Sequence, residues 1–166
     1  VAPVPFFSDP VVARLLPFAV FMFSALLANA LSQAPGVVYP LRAALMAGVL
    51  ALFIPIYRRL EWQVSPTALA VGFAIGLMWV LIPYAPDDTT PAFAGLTGAA
   101  LVGWMIARGI GTMVLVPMIE ELFFRDYLEG RLRGALGPVM AALVTAGLFA
   151  VLHDRWAEAF VAGLAF

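Results

Sequence analysis

Apolar segments long enough to span a membrane follow one another through most of this sequence, separated by short polar turns. The first covers residues 11–31, and about 20 helical residues match an apolar bilayer core of about 30 Å at about 1.5 Å per residue. Hydrophobic residues make up 64% of the chain and charged residues 11%, whereas soluble proteins average about 45–50% and about 25%. The sequence therefore predicts an integral membrane protein.

Proline, glycine and acidic residues divide the following sequence into further helices. The second predicted helix covers residues 39–57, and Pro55 is expected to bend its last turn. The third covers residues 66–84, and the acidic, proline-containing residues 85–88 end it. Both are predicted to cross the membrane.

The apolar stretch 91–128 is too long for one untilted span. We interpret it as a lead-in from about residue 92 that passes into a spanning helix over residues 108–125. A polar amphipathic connection is predicted over residues 126–137.

A fifth span is predicted over residues 138–153, because Pro138 suits the first turn of a helix. A further apolar helix begins after Asp154 and Arg155 and is cut off at Phe166. The predicted fold class is an all-α polytopic membrane bundle with about five spans and the start of a sixth. Residues 1–166 are predicted to be a single transmembrane domain, and the apolar stop predicts a fragment of a longer chain.

Arginine provides all nine basic residues. If the stretch 91–128 crosses the membrane once, one side of the membrane collects Arg14, Arg58, Arg59, Arg125, Arg131 and Arg133. The positive-inside rule predicts that this side is cytoplasmic. The arginine-only, alanine-rich composition favours a GC-rich bacterium, so the expected location is a bacterial inner membrane.

Composition argues against nucleic-acid binding and excludes cysteine chemistry. The formal net charge of −1 gives no electrostatic footprint for nucleic acid. The absence of cysteine excludes disulfides and thiolate metal sites.

Two adjacent carboxylates and an arginine interrupt the apolar sequence at Glu120, Glu121 and Arg125. Each ionisable group at membrane depth costs about 2.5–3.5 kcal/mol on insertion scales, so the cluster indicates a functional site. Residues four apart share a helix face, which predicts an ion pair between Glu121 and Arg125. Glu120 points about 100° away and is a candidate general base.

The only histidine, His153, lies in the next apolar segment, with Phe149 one helical turn before it. If the chain turns near Gly134, Glu120 lies about 14 residues before the turn and His153 about 19 after it, a difference of about 7 Å. The two side chains can then share a cavity and activate a water. A helix-end salt-bridge cluster at the headgroup level remains open, and Asp154 with Arg155 equally fits a His153 at the membrane exit.

Glu120-Glu121-x-x-x-Arg125 followed by Phe149-x-x-x-His153 resembles the first two motifs of the CAAX protease and bacteriocin-processing family (CPBP, also called Abi) of intramembrane endopeptidases. The flanking residues 116–119 and 122–128 also resemble that family. The motif-bearing region is residues 108–166. The earlier helices are similar to a bacterial subgroup associated with exosortase systems.

The resemblance implies an all-helical, roughly eight-helix fold with a water-filled cavity. Glu120 and His153 would activate water to attack a peptide bond near a membrane anchor, with Glu121 and Arg125 in support and Phe149 shaping the pocket. The family's third motif, a second histidine followed by Asn or Asp, is absent from these residues. The chain is therefore expected to be either a piece of a longer enzyme or an incomplete relative without activity.

Relatives are often labelled metalloproteases, and catalytic zinc usually takes three protein ligands. Glu120, Glu121 and His153 can supply such a set only if Glu121 leaves Arg125, so metal-free activation of water is preferred. The expected partners are the lipid bilayer and a membrane-anchored peptide or protein, for which nothing in the residues specifies a prenyl group.

Two other functions remain as alternatives. The same polar cluster can serve as a clamp in a non-catalytic membrane scaffold or immunity-type binding protein. Buried Glu and His also build proton or solute pathways, but the sequence lacks the broken paired helices of inverted repeats.

Overall fold

The computed structural model describes residues 5–61, 65–83, 93 and 95–165. These ranges contain helices joined by turns, and no strand, which confirms the predicted all-α fold class. A short 3₁₀ turn at Phe6–Ser8 precedes the first helix. The helices are α1 (Pro10–Leu31), α2 (Tyr39–Leu52), α3 (Ile54–Tyr57), α4 (Pro66–Leu81), α5 (Gly98–Leu136), α6 (Pro138–Val151) and α7 (Trp156–Ala165).

Local chemistry explains where several helices begin. The Asp9 side chain accepts a hydrogen bond from the Val11 amide at 2.7 Å, which caps α1. Ser65 caps α4 in the same way through the Ala68 amide at 3.0 Å. Gly137 separates α5 from α6 with φ of 76°, a left-handed backbone conformation that glycine adopts readily.

The first three predicted helices are found with changed ends. The first is confirmed as α1. The second is interrupted at Phe53, two residues before Pro55, and continues as the single turn α3. The third ends at Leu81, and the predicted terminator at residues 85–88 lies outside the described residues.

The prediction for the fourth span was wrong at both ends. Helix α5 starts at Gly98 rather than near residue 108, and it continues to Leu136 through the predicted polar connection. Arg125 and Arg133 each donate to Glu129, which lies four residues from both, so these polar side chains are paired along the helix. The predicted lead-in at residue 92 lies outside the described residues.

The next turn was also misplaced. It lies at Gly137 rather than near Gly134, and α6 ends at Val151 rather than His153.

Among the described residues, two helices are long and apolar enough to cross a membrane, α1 with 22 residues and α5 with 39. In their most apolar stretches of 18 residues, only 17% of α1 and 11% of α5 is buried. A core helix of a soluble protein would instead bury its apolar stripe. Four shorter apolar helices accompany them: α2, α4, α6 and α7. The fold is a helical membrane bundle.

The chain forms two compact units. The first unit comprises Val1–Leu60 and Asp88–Phe123, and its core includes the fully buried Met46, Phe53 and Ile119. The Tyr57 hydroxyl donates to the Ala13 carbonyl oxygen and ties α3 to α1. The prediction of a single transmembrane domain stays a prediction.

The second unit comprises Glu61–Asp87 and Phe124–Phe166. Helices α6 and α7 pack closely, because a Cβ atom at Gly163 would lie 3.0 Å from Ala146. Helix α4 contacts α7 in the same unit. This unit carries the histidine motif.

Candidate active site

The carboxylate pair lies where α5 changes its hydrogen-bonding pattern. Two stretches, Gly111–Leu115 and Glu121–Glu129, form wide π-helical turns on either side of an ordinary α-helical turn, Val116–Glu120. Such turns are rare in proteins and occur frequently at functional sites. Glu120 ends the α-helical turn and Glu121 begins the second wide stretch.

In the first unit, neighbouring apolar residues hold the backbone that carries the pair. Ile119 is fully buried and Leu122 is nearly so. Phe123 stacks on Phe18 of α1 with ring centroids 3.9 Å apart and planes 3° from parallel. The helix is therefore fixed against α1 next to the half-buried Glu120.

In the second unit, Arg125 connects α5 to α7. Its Nη1 donates to Glu129 Oε2 at 2.8 Å, and its Nη2 donates to the Gly163 carbonyl oxygen. The Arg125 side chain is 16% exposed. Arg125 therefore has a structural role within this unit, while its predicted ion pair with Glu121 stays a prediction.

Glu129 is a buried ion-pair partner that the sequence reasoning missed. Only 4% of the residue is exposed. Its second oxygen, Oε1, accepts from Arg133 Nε at 3.1 Å and from Arg133 Nη2 at 2.7 Å. The spacing of Arg125, Glu129 and Arg133, four residues apart twice, was the signal that could have identified it.

His153 lies in the turn between α6 and α7. Its Nδ1 lies 2.8 Å from the Phe149 carbonyl oxygen. Because a carbonyl oxygen only accepts, Nδ1 carries the proton, and in the neutral ring Nε2 holds the lone pair. The backbone thus selects a tautomer whose Nε2 can accept a proton.

Phe149 lies between two other rings of the second unit. Its centroid lies 4.3 Å from that of His153 and 5.3 Å from that of Phe124, with the Phe124 contact edge to face. Trp79 of α4 adds a second edge contact to His153 at 6.4 Å. The motif residue Phe149 therefore packs directly on the imidazole.

Arg155 is a second residue that the sequence reasoning did not assign to the site. Its Nη1 and Nη2 donate to the carbonyl oxygens of Trp79 and Ile82 at 2.6 and 3.1 Å, where α4 ends. Its Nη2 also donates to Glu158 Oε1 at 2.9 Å. Because the last helical carbonyls have no partner within the helix, Arg155 caps α4 and attaches it to the turn that carries His153.

The structure thus places the predicted residues in two groups. Glu120 and Glu121 belong to the first unit, whereas Arg125, Phe149 and His153 belong to the second. Within the second unit, Phe149 and His153 are in contact. The predicted cooperation of Glu120 with His153 stays a prediction.

The zinc set considered from the sequence, Glu120, Glu121 and His153, is divided between the two units. Across residues 5–61, 65–83, 93 and 95–165, no three His, Cys, Asp or Glu side chains come together as a possible metal site, and catalytic zinc usually needs three protein ligands. Both the zinc set and the metal-free activation of water stay predictions.

The bundle and its ionisable motifs define a class of protein, a polytopic helical membrane protein with chemistry-bearing residues in its apolar helices. Residues 101–166 match the family model described as type II CAAX prenyl endopeptidase Rce1-like. The match covers both motifs and less than half of the chain, and it confirms the resemblance to the CPBP family over this region. No curated protein and no solved structure matches the chain. A membrane-embedded protease of the CAAX type is the class of function that the match indicates.

Proposed function

We propose that this protein is an intramembrane endopeptidase in which Glu120 and His153 activate the attacking water. The observation that carries the proposal is that both motifs fall inside residues 101–166, the part that matches an endopeptidase family. Glu121 and Arg125 are supporting residues, and Phe149 fixes the imidazole. The non-catalytic scaffold is disfavoured, because the matched family is one of enzymes.

The proposed reaction is general acid–base hydrolysis. The Glu120 carboxylate accepts a proton from water while the water oxygen attacks the scissile carbonyl carbon. His153 hydrogen-bonds the water through Nε2 and orients it. The C–N bond then breaks and the proton passes from Glu120 to the amine nitrogen, so peptide and water give one carboxyl and one amino terminus.

The position of the turn at Gly137 supports this assignment. Glu120 lies about 17 residues before Gly137 and His153 about 16 residues after it. The two residues are thus separated from the turn by nearly equal lengths of chain, which is what two residues at a similar depth require. The turn expected near Gly134 gave lengths of about 14 and about 19 residues. The hydrogen bond from Nδ1 to Phe149 supports the role of Nε2.

The proposed substrate is a membrane-anchored peptide or protein cut near its anchor. Nothing among the described residues selects a prenyl group over another apolar anchor. The proposed location is a bacterial inner membrane with the arginine-rich loops in the cytoplasm. The continuous helix Gly98–Leu136 supports this orientation, because it allows one crossing rather than two.

The test compares Glu120→Gln with the matched control Glu61→Gln, which alters an exposed carboxylate outside the motifs. The protein as its gene encodes it is reconstituted in vesicles with a farnesylated peptide ending in Cys-a-a-X and with an unprenylated, transmembrane-anchored peptide. Mass spectrometry follows the products. Loss of a general base lowers rates about 10²–10⁴-fold, so Glu120→Gln should lose cleavage and Glu61→Gln should keep it. Unchanged cleavage by Glu120→Gln would refute the proposal.

A further inference from the structure

A cavity of about 670 Å³ lies between α1 and α2 in the first unit. Its walls are apolar except for Ser24, Ser32 and Arg42. Large apolar side chains on its rim, including Phe23 and Leu41, are each 64% exposed. Its size lies in the range of about 300–1,000 Å³ that is typical of ligand sites, and its lining fits a hydrocarbon chain.

One arginine lines this cavity, and a second lies over the same tyrosine ring as the first. Arg42 lines it and donates from Nε to Ser24 Oγ at 3.4 Å. The guanidinium carbon of Arg42 lies 5.6 Å from the ring centroid of Tyr39, and that of Arg108 lies 4.4 Å from the same centroid. The two guanidinium carbons are therefore no farther apart than the sum of these two distances. The negative face of one aromatic ring only partly offsets two positive charges.

No carboxylate compensates this pair among the residues that the structure describes. Arg125, Arg133 and Arg155 each form an ion pair with a glutamate, whereas no ion pair of Arg42 or Arg108 is found within these residues. A cation in an apolar helical environment is costly unless an opposite charge accompanies it. The pair thus forms a positive site beside a hydrocarbon-sized cavity.

We propose that this part of the first unit binds an anionic phospholipid. An acyl chain lies in the cavity, and the phosphate group accepts hydrogen bonds from Arg42, while Arg108 strengthens the positive potential. Guanidinium groups suit phosphate oxygens, and basic pockets between membrane helices bind anionic headgroups. An amphiphile satisfies both halves of the site, whereas a soluble anion satisfies only one.

The experiment measures lipid retention by native mass spectrometry, with the purified protein as its gene encodes it. The probes are dioleoyl phosphatidylglycerol and dioleoyl phosphatidylcholine, which share acyl chains and differ in charge. The phosphatidylglycerol should be retained preferentially. Arg42→Gln and Arg108→Gln should each weaken its retention about fivefold, the effect of one basic residue near a membrane surface.

The control variant is Arg59→Gln, which alters an exposed arginine of the same unit and should leave retention unchanged. Arg42→Lys should retain more phosphatidylglycerol than Arg42→Gln, because it keeps the charge. Far-UV circular dichroism checks folding, and if Arg42→Gln fails to fold, Arg42→Lys and Arg108→Gln provide the test.

Three results would overturn the proposal. Equal retention of both lipids would show that the headgroup is not recognised. Displacement of the lipid by soluble glycerol phosphate at equal concentration would show that the acyl chain does not contribute to binding. A lipid-free dimer that weakens with Arg42→Gln would show that a second copy of the chain occupies the face.

Discussion

Two arginines of the second unit make different contacts from two arginines of the first. In the second unit, Arg125 and Arg155 each bond to a glutamate and to at least one backbone carbonyl oxygen, and both side chains are largely buried. In the first unit, Arg42 and Arg108 lie against the ring of Tyr39, and within the described ranges neither has an acidic partner. The same residue type thus builds a framework in one unit and a positive surface in the other.

This difference indicates which residues are structural and which can meet a ligand. Removing an arginine from a buried ion pair leaves a buried carboxylate without compensation, which is costly. Removing an arginine that has no acidic partner leaves no such penalty.

Arg125→Gln should destabilise the protein by about 3 kcal/mol, because it removes one of the two arginines bonded to the buried Glu129 and the link to Gly163. The measurement is the free energy of unfolding in bicelles by steric trapping. Arg131→Gln is the matched control. Arg131 is exposed on the same helix and lies over the ring of Tyr127 rather than against a buried carboxylate, so its loss should cost less than about 1 kcal/mol.

Arg42→Gln in the first unit extends the same measurement. It should also cost less than about 1 kcal/mol, since it alters a 3.4 Å hydrogen bond to Ser24 and a 5.6 Å contact with the Tyr39 ring and leaves no carboxylate unpaired. Equal losses for Arg42→Gln and Arg125→Gln would break the contrast between the units.

Arg155→Gln should destabilise the protein by about 2 kcal/mol, because hydrogen bonds from a charged group to the end of α4 are lost. It should also lower kcat about tenfold with little change in KM, since Arg155 positions the turn that carries His153 rather than touching substrate. Arg155→Lys should recover part of kcat by keeping one charged donor. A rise in KM alone would show that Arg155 does not position the histidine.

Gly111→Ala should destabilise the protein by about 1–2 kcal/mol through overpacking. A Cβ atom there would collide with the hydroxyl and ring of Tyr39, which holds α2 against α5. Gly103→Ala on the same helix is the control, since a Cβ atom would meet nothing within 4 Å; it should be neutral or slightly stabilising. Thermal unfolding in detergent distinguishes the two, and similar melting temperatures would contradict the close packing at Gly111.

Helix existence could be predicted from the sequence because apolar length and proline or glycine breaks determine it. The prediction failed where polar side chains compensate one another. Residues 126–137 were predicted to be a polar amphipathic connection, yet the hydrogen bonds of Arg125 and Arg133 to Glu129 accompany a helix that continues to Leu136. Composition shows how polar a segment is, but not whether its charges pair along the helix.

The candidate site could be predicted only in part, for a related reason. Glu120 and His153 stood out because ionisable groups are rare in apolar helices. Arg155 did not, because its partners are the carbonyl oxygens of Trp79 and Ile82, far away in the sequence. Every residue has a backbone carbonyl oxygen, so the sequence does not show which one accepts a hydrogen bond. Such a bond can be identified only from the three-dimensional structure.

Glu120 and His153 are proposed to act on the same water molecule, and a double-mutant cycle tests this cooperation. Cleavage of a membrane-anchored peptide is measured for Glu120→Gln, His153→Asn and the double variant in the protein as its gene encodes it. Groups that act as a unit are strongly non-additive, so the double variant should be no slower than the slower single variant. Rate losses that multiply in the double variant would show that the two residues act independently and would contradict the account.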